Sequence, residues 1–211
     1  MILYDFYRSS AAYRARIALS LKGLEAERRF IHLRRGEQRD PAYLALNPQG
    51  FVPMLVIDGI RFTQSLAIIE YLDEKYPQPP LLPASAEDRA WVRAIALSIA
   101  CDIHPLNNTR VIKYLAKSLE LDEPTRDTWY RHWVTEGFTA VEAMLAARAT
   151  GDFCFGSQPT LADVCLVPQV FNARRLKVPL DSFPKIVAVD AACLKIAAFD
   201  KARPENQPDA E

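Results

Sequence analysis

Groups able to hold an anion concentrate between Tyr7 and Leu19. Ser9 and Ser10 place two hydroxyls where a helix should begin, and Arg8 and Arg14 place cations beside them. The apolar run Met1-Ile2-Leu3-Tyr4 ahead of them predicts a short buried strand, and Gly23 predicts the helix stop. A strand feeding a hydroxyl-capped helix turns unpaired N–H groups and the positive end of the helix dipole toward one spot. A thiolate, a carboxylate or a phosphate would suit that spot. The same residues also fit a plainer role, with Ser9 capping the helix and the arginines solvated.

Sulfur and metal chemistry on the chain itself find little support. Cys101, Cys154, Cys165 and Cys193 include no C-x-x-C pair, and His32, His104 and His132 are not spaced with them as ligands, so a metal site is not expected. Each cysteine sits among apolar neighbours and reads as a buried free thiol. A thiol–disulfide oxidoreductase needs a cysteine at the start of the first helix, where this chain has Ala11 and Ala12.

The elements that must position these groups follow in order. The chain has 211 residues, half of them apolar, with 26 basic and 26 acidic side chains. That length supports one large or two small cores, and the balanced charge gives no reason to expect a nucleic acid partner. No apolar run is long enough to span a membrane and no signal peptide precedes the first strand, so a cytoplasmic location without membrane partners is expected. Ala26–Ile31 reads as a second strand, making a parallel β-α-β unit with the first. A polar stretch with one irregular helix over residues 41–46 leads to Asn47-Pro48-Gln49-Gly50-Phe51-Val52-Pro53 and the strand Met54–Ile57. Asp58-Gly59 predicts a hairpin turn, Arg61–Thr63 its return strand, and Gln64-Ser65 the cap of a helix over 66–76.

Four prolines between Pro77 and Pro83 mark a domain boundary. Beyond it only helices are expected, over 91–100, 107–118, 124–147, 161–174 and 184–199, with a polar, loosely held tail from Arg203. Thr160-Leu161-Ala162-Asp163 is a capping-box sequence, which assigns Asp163 to helix initiation rather than chemistry.

This order of strands, capped helices and turns resembles the glutathione transferase superfamily over nearly the whole chain. Within it, the similarity is to the zeta-like branch that includes maleylacetoacetate and maleylpyruvate isomerases. Four motifs carry the resemblance: Arg8-Ser9-Ser10-Ala11-Ala12-Tyr13-Arg14-Ala15-Arg16-Ile17-Ala18-Leu19; Asn47-Pro48-Gln49-Gly50 with Val52-Pro53; Gln64-Ser65; and Cys101-Asp102-Ile103-His104-Pro105-Leu106-Asn107-Asn108. The resemblance implies an α/β thioredoxin-like N-terminal domain (1–80) followed by an all-α C-terminal domain (85–211) that contributes the substrate pocket, assembled as a homodimer.

It also implies glutathione as cofactor. Pro53 would be cis, turning the Val52 main chain outward for strand addition to the cysteinyl unit. Gln64 and Ser65 would meet the γ-glutamyl carboxylate, with Gln38, Gln49, His104 and Asn108 as further contacts. Ser9, with Ser10 as competitor, would donate a hydrogen bond to the thiolate. Some members of the branch carry a cysteine where this chain has Ala11, which argues against any step needing a protein thiol.

The implied reaction is isomerisation of a cis-enol diacid: thiolate addition to the conjugated double bond, rotation, and elimination to the trans isomer. Arginines suit carboxylate recognition, and Arg8, Arg110 and Arg175 are the candidates. Maleylacetoacetate, from aromatic amino-acid breakdown, is the expected substrate, with maleylpyruvate of the gentisate route as runner-up. A general transferase acting on electrophiles, and a binding module that has lost the cofactor, are the alternatives from other classes. The first would favour an apolar, arginine-poor pocket and the second would lack Val52-Pro53 and Gln64-Ser65.

Overall fold

The computed structural model describes residues 1–148 and 151–211. In chain order its elements are β1 (Ile2–Asp5), α1 (Ser10–Leu21), β2 (Glu27–Phe30), α2 (Pro41–Leu44), β3 (Met54–Ile57), β4 (Ile60–Thr63) and α3 (Ser65–Lys75). There follow α4 (Ala86–Leu97), α5 (Thr109–Lys117), α6 (Glu123–Ala147), α7 (Leu161–Arg175), α8 (Pro184–Cys193) and α9 (Ala197–Lys201). They form two compact units. One is Met1–Pro80 together with Leu194–Glu211, and the other is Leu81–Cys193.

The first unit is built on a four-stranded sheet of order β2-β1-β3-β4. β1 and β2 run parallel, as the intervening α1 requires, and the β1–β3 and β3–β4 pairs are antiparallel. Asp58 and Gly59 both take positive φ (52° and 79°), the backbone of a tight two-residue hairpin, and Ile57 faces Ile60 across it. Adjacent residues of β1 enter different clusters, as the two-residue period of a strand dictates. Leu3 packs with Leu55, Ile57, Ala15, Leu19, Ile68 and Leu72, whereas Tyr4 packs with Tyr7, Ala12, Tyr43, Val52 and Met54.

The second unit is helical, and no strand occurs among its described residues. α4 starts upstream of the expected Trp91, because Ser85 accepts a hydrogen bond from the Asp88 N–H (3.1 Å) and Glu87 and Asp88 favour the first turn. At its other end the helix widens into a π-turn over Ser98–Ile103, where the His104 N–H reaches the Ile99 carbonyl five residues back (3.0 Å). α7 is almost wholly buried and opens on the expected capping box. Asp163 accepts from the Thr160 N–H (2.7 Å), the Thr160 hydroxyl (2.8 Å) and the Cys154 N–H (2.7 Å). Burial raises its pKa, and the hydrogen bonds from Cys154 and Thr160 pull it back down.

Two expectations are corrected at the C-terminus. The helix expected over 184–199 is two helices, broken at 194–196, where the chain passes from one unit to the other. Apolar residues continue across the break, so periodicity alone does not reveal it. The tail is not loosely held: Pro204 and Gln207 are buried, and the Gln207 amide donates to the carbonyls of Lys201 (2.9 Å) and Arg203 (2.7 Å). Glu211 pairs with His32 (2.7 Å), Arg34 (3.5 Å) and Arg35 (3.7 Å), which together hold its carboxyl below the ordinary range. Polar composition suggested mobility, and the polar groups are what anchor the segment.

Candidate active site

Ser9 is the N-cap of α1. Its backbone is extended, its Oγ accepts from the Ala12 N–H at 3.3 Å and its carbonyl from the Tyr13 N–H at 2.8 Å. The hydroxyl sits half-buried at the positive end of a three-turn helix, and its hydrogen remains available to an acceptor. Ser10, the first residue of the helix, is buried at 7 % exposure. Arg8 lies half-buried in the loop between β1 and α1.

The two arginines of α1 do different work from Arg8. Arg14 is buried, and its Nε donates to Ser65 Oγ at 3.0 Å, tying α1 to the first residue of α3. Arg16 is buried too and donates to Asp5 Oδ1 (2.9 Å), the Tyr7 carbonyl (2.8 Å) and the Ala202 carbonyl (2.9 Å). Desolvation lowers its pKa to about 10, leaving it charged at neutral pH. Neither guanidinium is a solvated surface group.

The start of α3 is the second half of this arrangement. Gln64 stands at the N-cap with φ +68°, a left-handed conformation that costs a non-glycine residue about 1–3 kcal/mol. Its side chain makes no cap hydrogen bond to the first turn of α3. Its Nε2 instead donates to Gln49 Oε1 at 3.0 Å. Gln49 belongs to a braced loop: Asn47 Oδ1 accepts from the Gln49 N–H (3.2 Å), while Asn47 Nδ2 (2.8 Å) and the Tyr43 hydroxyl (2.5 Å) both donate to the Phe51 carbonyl.

Gly50 has φ +62°, and a Cβ there would lie 2.7 Å from the Gln38 carbonyl oxygen. Only glycine lets the Gln38 turn and this loop approach so closely. Gln38 Oε1 is buried and accepts no hydrogen bond. The Val52–Pro53 bond is cis. The ladder between β1, β3 and β4 begins at Met54, so the Val52 main chain lies just outside it, while its side chain packs with Tyr7 and Ala12 on either side of Ser9. The first unit thus gathers Ser9, Gln38, Gln49, Val52, Pro53, Gln64 and Ser65. Sequence reasoning named Arg14 as an anion-holding cation rather than as a support for Ser65, and it missed Asn47 and Tyr43, although Asn47 stood inside a motif.

The remaining candidates lie in the second unit. His104 follows the π-turn and is half-buried. Asn108 is the N-cap of α5, its Oδ1 accepting from the Arg110 N–H at 3.0 Å, and the Arg110 side chain is exposed in the first turn. The turn between them is bolted to α6, since Asn107 Nδ2 donates to the Tyr130 carbonyl (3.3 Å) and Trp129 Nε1 to the Leu106 carbonyl (3.0 Å). Arg175 ends α7 and hydrogen-bonds the Tyr130 hydroxyl, which burial pushes up to about 12 and so keeps protonated. Arg174 beside it pairs with Asp190 at 2.5 Å and belongs to the scaffold. Among the described residues no cluster of histidine, cysteine and carboxylate could hold a metal ion, and no helix is long and apolar enough to cross a membrane.

Residues 1–74 match the family model for the glutathione S-transferase N-terminal domain, and residues 127–194 match the model for its C-terminal domain. The chain belongs to the glutathione S-transferase family, and its similarity runs to the zeta class. A probable maleylacetoacetate isomerase of Vibrio cholerae is 47 % identical, covering 100 % of this chain and 98 % of its own length. The holo structure of a maleylpyruvate isomerase, a bacterial zeta-class glutathione S-transferase, is 48 % identical with a TM-score of 0.98 and covers both chains fully. A maleylacetoacetate isomerase of Methylobacterium extorquens, crystallised with malonate and glutathione, is 37 % identical with a TM-score of 0.97 over all of both chains.

Proposed function

We propose that this protein is a glutathione-dependent cis-trans isomerase that converts maleylacetoacetate to fumarylacetoacetate. One observation carries the cofactor assignment: the N-terminus of α3, which the Gln64 side chain does not cap, stands beside Ser65 and the Gln64–Gln49 pair, with Gln38 offering a buried oxygen that lacks a donor. A peptide with a free α-carboxylate and several N–H groups fits both needs, the carboxylate at the helix end and an N–H toward Gln38.

In this reading Gln64, Ser65 and the α3 amides hold the γ-glutamyl end. The Val52 main chain pairs with the cysteinyl unit as an added strand, and Gln38, Gln49, His104 and Asn108 make further contacts. Bound glutathione supplies the nucleophile, a thiolate that adds to the cis double bond and leaves once that bond has rotated. Ser9 donates its hydroxyl hydrogen to the sulfur, and the α1 dipole adds positive potential, both favouring the thiolate over a thiol of ordinary pKa. Ser10 is the competing donor. Arg8 provides a two-pronged donor for a substrate carboxylate, and Arg110 and Arg175 are the carboxylate-binding candidates of the second unit. No general base is needed, because fixed cations and N–H donors meet the charge that develops on the substrate oxygen.

The second reading is maleylpyruvate isomerase, which identities of 47 % and 48 % to the two kinds of relative support equally. Assembly as a homodimer and a cytoplasmic location are part of the proposal. Turnover of maleylacetoacetate, maleylpyruvate and a chloroaromatic electrophile, each with and without glutathione, tests it. Glutathione-dependent isomerisation should be fastest with maleylacetoacetate. Faster maleylpyruvate turnover would install the second reading, and faster conjugation of the electrophile would defeat both.

A further inference from the structure

The tail that composition marks as loose reaches the loop carrying Ser9. Asp209 Oδ2 accepts a hydrogen bond from the Tyr7 N–H at 2.9 Å, two residues before Ser9 and 202 positions away along the chain. The carbonyl of the same residue accepts from Arg16 Nη2 at 2.8 Å, so both main-chain groups of Tyr7 are held. The preceding peptide is held as well: the Phe6 N–H donates to Asp5 Oδ1 (2.8 Å) and the Phe6 carbonyl accepts from the Ser9 N–H (2.9 Å). Arg16 also donates to the Ala202 carbonyl (2.9 Å) and Arg28, which pairs with Asp5 of β1, donates to Gln207 Oε1 (3.2 Å), so the same arginines that hold β1 hold the tail. Asp209 Oδ1 is buried with no hydrogen-bond partner, and the carboxylate is attracted electrostatically by both Arg16 and Arg28.

We infer that Asp209 is a positioning residue: the C-terminal tail acts as a strap that fixes the β1–α1 loop, and through it the direction of the Ser9 hydroxyl. The inference rests on the isomerase reading for what Ser9 does, but the strap itself is independent of substrate. Ordinary tail docking would need only the contacts of Gln207 and Glu211. Asp209 instead spends its carboxylate on the amide just upstream of the candidate hydroxyl. A misdirected donor loses far more in turnover than in cofactor affinity, which is carried by Val52, Gln64 and Ser65.

The test compares the full-length wild type with Asp209→Ala and Asp209→Asn, the asparagine keeping an oxygen acceptor for the Tyr7 N–H. In hydrogen exchange on the glutathione-free protein, Asp209→Ala should speed exchange over residues 6–10 about tenfold, the loss of one charge-assisted bond. The β3–β4 hairpin should be unchanged, and Asp209→Asn should stay within about twofold of wild type. In turnover, Asp209→Ala should lower kcat about tenfold with KM for glutathione held, and Asp209→Asn should recover most of it. Unchanged exchange over residues 6–10 would overturn the strap. So would acceleration spread evenly through the first unit, or equal losses in kcat and affinity. A wild type that isomerises nothing would defeat the isomerase reading instead, leaving the exchange result to judge the strap alone.

Discussion

Ser9 is asked to do two things at once, and the two can be separated. As N-cap it accepts from the Ala12 N–H, and as proposed thiolate partner it donates its own hydrogen. Ser9→Ala should therefore cost about 1 kcal/mol of stability and lower kcat about a hundredfold, as loss of an electrostatic donor does. Ser9→Thr should preserve the cap and most of the turnover. Ser10→Ala, at a buried position inside the helix, should affect catalysis far less; a larger effect there than at Ser9 would transfer the role. Arg8 gives the complementary readout. Arg8→Ala should raise KM for the diacid or lower its turnover by at least about tenfold while glutathione affinity holds, because a two-pronged contact to a carboxylate is worth about 1.5–3 kcal/mol. Equal loss of both would count against carboxylate recognition.

At the scale of elements, the cofactor cradle depends on how α3 begins. Arg14 holds Ser65 from α1, so Arg14→Met should loosen the helix start and weaken glutathione binding about tenfold, measured by calorimetry. Unaltered affinity would mean Ser65 needs no such support. This dependence illustrates what a sequence exposes and what it hides. Ser9 and Thr160/Asp163 were legible because a cap is a local event, written in residues three or four apart, whereas Gln64-Ser65 marked where α3 starts without supplying a side-chain cap. Asp58-Gly59 was legible because positive φ selects few residue types. Arg14 to Ser65 spans 51 positions and Tyr7 to Asp209 spans 202, and no periodicity encodes a partner at that distance. The π-turn before His104 escaped for another reason: an apolar pattern drawn at 3.6 residues per turn cannot register a local widening. The tail escaped because polar residues that pair with each other look the same in sequence as polar residues in water.

At the scale of the whole molecule, the cysteines connect the proposed chemistry to stability. If glutathione supplies the sulfur, the chain's own thiols have no catalytic task, and their environments agree with that. Cys154, Cys165 and Cys193 are buried as expected, but Cys101 is exposed on the π-turn, where apolar neighbours along the chain do not decide which face a side chain takes. Burial pushes Cys154 and Cys193 well above the usual 9.0, and Asp163 adds to both by disfavouring a nearby thiolate, with Cys193 Sγ 3.8 Å from its Oδ1. One thiol of the four should therefore react promptly with an aromatic disulfide reagent in the native protein, and all four after denaturation. The same shifts set a pH dependence with a definite sign. A thiol whose folded pKa lies above its unfolded value stabilises fully below about pH 8.5, and that stability is lost as pH rises, because only the unfolded chain releases the proton. Each such thiol contributes a decline of about 1.4 kcal/mol per pH unit above that point. Lysines and tyrosines titrate over the same interval, so the informative quantity is the difference between wild type and variant. Urea unfolding between pH 7 and 10 should show Cys193→Ala and Cys154→Ala less stable than wild type at neutral pH but converging on it as pH rises. Parallel curves would mean that the buried thiols ionise as easily in the folded protein as in the unfolded chain, and that Asp163 exerts no pressure on them.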